Sequence, residues 1–180
     1  QDVARDLERP TMGADPSIPV GVHSRLSFDV ELVGSGTLGT APAWGPLLRM
    51  CAAAQVVTPG VKVEYNPISA AHESGAVYFS IDTVRHVLTG ARGNVKIALG
   101  ANGIPMLKFE LMGLFAMPSD QAIVTPVYTA WQPPQVATMA NTPTFTVAAV
   151  PFVLRDFELD LGNQVEPRML IGSEIILITN

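Results

Sequence analysis

Along most of this chain apolar and polar residues alternate with a period of two, the mark of strands with one dry and one wet face. Leu26-Ser27-Phe28-Asp29-Val30-Glu31-Leu32 is the first clear case, and Val61-Lys62-Val63-Glu64-Tyr65 and Ala76-Val77-Tyr78-Phe79-Ser80-Ile81-Asp82 repeat it. The latter turns into Arg85-His86-Val87-Leu88. Asn94–Leu99 and Met106–Met112 flank the turn-forming Gly100-Ala101-Asn102-Gly103-Ile104-Pro105, which predicts a hairpin. Two further strands are predicted over Val153–Leu161 and Met169–Thr179, separated by residues 162–167. Only one stretch follows the helical period: Trp44, Leu47, Leu48 and Cys51 fall at i, i+3, i+4 and i+7, with Thr40 placed as N-cap and Pro42 in the first turn. The pattern therefore predicts a mainly β, α+β chain of antiparallel sheets with one flanking helix, packed through those four residues.

Outside these elements the pattern lapses twice. Residues 1–22, punctuated by Pro10, Pro16 and Pro19, read as an extended N-terminal arm ahead of a single domain over 23–180. From Pro118 to Pro143, with Pro126, Pro133 and Pro134 between, there is almost no period, which predicts a long loop. Its Tyr128 and Trp131 are aromatic anchors suited to a neighbouring subunit. The chain starts without Met and stops inside a strand-like run, so it is expected to be incomplete at both ends.

Charge sharpens the picture because of where it falls. Alternation puts Asp156, Glu158 and Asp160 on one strand face, opposite Phe157, Leu159 and Leu161, and puts Lys96, Lys108 and Glu110 on polar positions of the central hairpin. Acids outnumber bases on the strands. Such faces are either plainly solvated or form an acidic wall past which another molecule must move without sticking.

Composition then limits the chemistry. Charged residues make up only 15% of 180, the formal net charge is −5, and mean hydropathy is +0.30. A weakly charged surface of this kind suits a subunit covered by neighbours. No apolar run nears the roughly 20 residues needed to span a bilayer, so no membrane span is predicted. Cys51, the single cysteine, cannot form an intrachain disulfide and reads as a small buried thiol. His23, His72 and His86 lack ligand spacing, so no metal is expected, and no catalytic signature is present.

Gly34-Ser35-Gly36-Thr37-Leu38-Gly39 does spell G-x-G-x-x-G between a strand and a helix. The preceding strand alternates where a buried parallel strand would be apolar throughout, and Pro42 and Pro46 lack N–H groups a phosphate would use. No cofactor is predicted. A net negative charge also opposes sequence-independent binding to a phosphate backbone.

Seven ordered blocks resemble the tail tube (major tail) proteins of long non-contractile-tailed bacteriophages, from about Asp6 to the end of the chain. They are residues 34–49 with Gly39-Thr40-Ala41-Pro42-Ala43-Trp44-Gly45-Pro46-Leu47-Leu48-Arg49, Leu88–Gly93, Ile104-Pro105, Phe109–Leu114, Ala140–Phe145, Leu159–Val165 and Leu170–Glu174. The resemblance implies a β-sandwich or barrel-like fold, no catalytic residues, and homo-oligomeric, hexameric rings stacked into a tube. It further implies a place in the virion tail, assembly in the host cytoplasm, a tape-measure protein as partner, and double-stranded DNA in transit without specific binding. Two other readings fit the strands: a β-sandwich module binding carbohydrate or another virion protein, and, on the glycine motif alone, a nucleotide-dependent enzyme.

Overall fold

A computed structural model describes residues 2–5, 13 and 16–179. Strands β1 (Asp2–Ala4) and β2 (Ser17–Pro19) pair with each other as an exposed ribbon, with 1, 6–12 and 14–15 of the expected arm outside the described residues. Then come β3 (His23–Glu31), the helix α1 (Gly45–Arg49), and the hairpin of β4 (Ala53–Thr58) and β5 (Lys62–Pro67). β6 (Gly75–Ile81), β7 (Val84–Gly100), β8 (Met106–Phe115) and the short β9 (Ser119–Asp120) follow. The chain continues through the hairpin of β10 (Phe145–Val147) and β11 (Val150–Phe152), then β12 (Asp156–Asp160), and a last hairpin of β13 (Gln164–Leu170) and β14 (Ser173–Thr179). The protein is mainly β, with antiparallel pairing throughout and one short helix.

The main sheet has the order β12-β7-β8-β3, with β6 and β9 also paired to β7. β7 is its spine, and it differs from the sequence expectation of two separate strands over 85–88 and 94–99. The chain runs on through all 17 residues because Gly90 takes the left-handed conformation (φ +58°), so the register to β8 slips between Thr89 and Arg92 without ending the strand. β6 lies along one half of β7 and β12 along the other. Between them, the Gly93 amide donates to the Met50 carbonyl at 3.1 Å, bringing the end of the helical segment to the strand edge.

One face of this sheet is dry. Phe109, Leu107, Leu111 and Val95 are almost fully buried there, with Phe28 stacked 5.5 Å from Phe109 and Leu26 and Val30 on the neighbouring strand. Trp44, Leu48 and Cys51 are buried in the same cluster and Leu47 packs partly against it, fastening α1 to the sheet. The Trp44 indole donates to the Val33 carbonyl at 2.7 Å, so its polar tip is satisfied inside the core.

The helix itself is shorter than the period suggested. It begins at Gly45, with Trp44 as N-cap making no side-chain cap bond and Pro46 in its first turn. Thr40 is not the cap: its amide donates to Thr37 in a turn, and a second turn from Pro42 to Gly45 intervenes before α1. Several strands escaped the sequence reading, β1, β2 and β9 among them. β4 partners β5, β10 pairs β11, and the expected strand over 169–179 is two strands folded at Ile171-Gly172, where Gly172 has φ +84°. Pro167 sits inside β13 opposite Ile176, tolerated because β13 pairs on one side alone.

The proline-rich segment after β9 is long and without strands until β10, yet it is held by this chain itself. Ala137 is tied to the β7–β8 turn by two backbone bonds, Asn102 N–H to Ala137 O and Ala137 N–H to Gly103 O, both 2.9 Å. Trp131 packs partly against the core of this chain, whereas Tyr128 stays exposed.

Candidate functional site

Strand pairing decides which polar side chains share a surface. In antiparallel sheets, residues directly opposite each other project to the same face. Asp160 is opposite Lys96, Lys96 opposite Lys108, and Lys108 opposite Asp29, so a rung of two lysines flanked by two acids crosses all four strands β12-β7-β8-β3. On neighbouring rungs of the same face lie Glu158 and Glu31, then Asp156, and on the other side Asn94, Glu110 and Ser27. Asp156, Glu158, Asp160, Lys96, Lys108 and Glu110 thus occur together on the wet face. That face carries Asp29, Glu31, Glu110, Asp156, Glu158 and Asp160 against Lys96, Lys108, Arg25 and Arg92, an acidic excess interleaved with base.

Two lysines placed opposite each other repel, and the flanking acids offset it. Lys96 Nζ lies 3.2 Å from the Asp160 carboxylate, which also accepts from the Asn94 amide at 2.6 Å and the Gly162 N–H at 2.9 Å. The bond from Asn94, ahead of those from Gly162 and Lys96, holds the Asp160 carboxyl below its ordinary range, and the bond to Asp160 raises Lys96. Both side chains are a third or more exposed, so solvent screens the pair and this cluster orders the rung more than it stabilises the fold. Asn94 was absent from the candidates although it sits in phase with Lys96, the one signal that could have found it.

Arg92, on the same strand, was also missed and left no sequence signal, because its partners are remote. Its guanidinium donates to three backbone carbonyls: Ile176, His72 at 2.8 Å and Glu73 at 3.2 Å. β14 packs against β7 and β8, where Met112, Ile176 and Ile178 are buried apart from the main core. Arg92 therefore ties the last hairpin to the sheet. Asn163 adds a second tie through its amide to Cys51 O (2.8 Å) and Gly93 O (3.2 Å).

The glycine segment is used for close packing. A side chain at Gly39 (φ +68°) would overlap the backbone of Thr58 to Gly60 in the β4–β5 turn, and one at Gly36 (φ +77°) would meet Gln132. α1 has only five residues and its preceding strand β3 belongs to an antiparallel sheet, so the segment has neither the helix nor the parallel strand of a dinucleotide fold. Burial pushes the Cys51 thiol up to about 12, leaving it a neutral core residue. No three or more His, Cys, Asp or Glu among the described residues come together to hold a metal ion, and no helix there is long and apolar enough to cross a membrane.

The described residues build a mainly β subunit with a charged, ordered sheet face. Residues 1–177 match the family model for phage tail tube protein, and the chain belongs to that family. It is a structural protein of the virion tail that assembles into a multimeric tube. Neither a curated protein nor a solved structure matches the chain.

Proposed function

We propose that six copies form a ring, that rings stack into the tail tube, and that the charged face of β12-β7-β8-β3 lines its lumen. The observation carrying this is that the wet face lies on a sheet whose two flanks, β3 and β12, are paired on one side only among the described residues. A nine-residue strand such as β3, open along one edge, invites pairing, and closing a ring edge to edge removes that liability. Six four-stranded sheets make a wall of about 24 strands, beyond the 16–18 strands at which barrels already enclose water. At ~4.8 Å per strand its backbone diameter is at least about 37 Å. The dry face then turns outward onto α1 and the β4–β5 hairpin, while β14 covers the Met112 end of the charged face.

The charges suit a conduit. DNA carries one charge per ~1.7 Å of axis, and a basic wall would hold it through many phosphate contacts. Here each lysine of the rung has an acid beside or opposite it, and a ring at −5 per copy is strongly negative. The tape-measure protein and then double-stranded DNA pass without being bound, in a tube assembled in the host cytoplasm. The test is electron microscopy of assembled protein together with phage carrying Glu110→Lys and Glu158→Lys. Sixfold tubes with these positions inside, and slower genome ejection at low salt, are expected. Tubes that place Glu110 and Glu158 on the outer wall would overturn the reading.

A further inference from the structure

The two ends of the strands carry unlike, complementary features. At one end, the β13–β14 hairpin turns at Ile171-Gly172 and leaves the Ile171 side chain fully exposed (108%) with Leu170 half-exposed. This end is located by Gly21, whose Cβ position is 3.4 Å from Met169 and which lies two residues before His23, the partner of Leu114. At the other end, the β7–β8 turn and the β10–β11 hairpin enclose an open, mostly apolar groove of about 420 Å³. Its walls include Leu99, Met139, Phe145, Phe152, Val153 and Phe157, with Phe145 and Phe157 ring centres 5.2 Å apart. From Thr89 to Gly100 the two ends are separated by roughly 30 Å of strand.

We propose that the Ile171 tip of one subunit seats in the Phe145/Phe152/Phe157 groove of a second copy, and that this contact joins successive rings. The occupant is a second copy because charges match as well as shape. Arg168 and Glu174 flank the tip, while Arg155 and Asp156 stand at the groove's rim, paired to each other at only 3.6 Å and almost wholly in solvent. Docking exchanges that weak pair for Arg168 with Asp156 and Glu174 with Arg155. An apolar tip at one end and a pocket at the other make a heterologous contact, which propagates in one direction and does not close on itself. The inference rests on the ring reading above: with strands side by side around a lumen, their ends are the top and bottom of the ring.

The test uses Ile171→Asp and Ile171→Val in the full chain, followed by light scattering and negative-stain microscopy. The aspartate variant is expected to give rings that do not elongate, and the valine variant tubes of ordinary length. A second arm pairs Ile171→Cys with Met139→Cys, where buried Cys51 adds no background, and is expected to yield disulfide-linked ladders on oxidation of tubes. Tubes of normal length from Ile171→Asp, or no cross-link in tubes of the double variant, would overturn the inference. Failure of the unaltered chain to form rings at all would instead overturn the ring reading.

Discussion

Replacing Arg92 by Ala tests how much of the last hairpin's hold on the sheet comes from this one side chain. The truncation deletes the three bonds to Ile176, His72 and Glu73. A bond from a charged donor contributes about 1.5–3 kcal/mol. The three act as a unit and the site is only partly buried, so the total is about 3 kcal/mol rather than their sum. For a domain of this size that lowers the melting temperature by roughly 6–12 °C. Arg92→Lys keeps the charge but loses the planar fork, and about half the loss is expected. Thermal melting gives the magnitude, and hydrogen exchange at Ile176 and Ile178 gives the place: their amides should lose protection before those of Phe109. A melting temperature within 1 °C of the unaltered chain, with Ile176 still protected, would refute the assignment.

Three other outcomes follow from the same structure. Trp44→Ala or Leu48→Ala is expected to cost about 2–5 kcal/mol in denaturant unfolding, since both pack in the main core and Trp44 also holds the Val33 carbonyl. Ala148 and Ala149 both occupy the left-handed region (φ +49° and +66°) in the two-residue β10–β11 turn, so Ala148→Asn with Ala149→Gly should stabilise by about 1 kcal/mol, read as a rise in melting temperature. In pH-dependent unfolding, the lowered Asp160 contributes stability that is full above the ordinary carboxylate range and is lost as pH falls through its folded value. The raised Lys96 contributes stability that is full below the ordinary lysine range and is lost as pH rises through its folded value. Between roughly pH 5 and pH 9 their contribution is flat, and Asp160→Asn should flatten the acid limb.

Local pattern was enough for the class of this protein. A period of two puts apolar residues on one side of a strand wherever that strand ends up, so the dry face through Leu107, Phe109 and Leu111 and the wet face through Lys108 and Glu110 were legible from spacing. The apolar stripe Trp44, Leu48 and Cys51 was legible too, though not the point where the helix starts, because consecutive turns at Thr37–Thr40 and Pro42–Gly45 compete with it. What spacing could not supply was partnership. Register alone aligned Asp160, Lys96, Lys108 and Asp29 into one rung, and it joins residues more than 100 positions apart in sequence. The glycine motif misleads for the same reason: Gly36 and Gly39 answer to Gln132 and to the Thr58–Gly60 turn, neighbours that only the folded chain brings near. Arg92 and the Ile171 tip lie furthest from sequence, since a carbonyl clamp needs a fixed backbone and an exposed isoleucine gains meaning only from a groove at the other end of the strands.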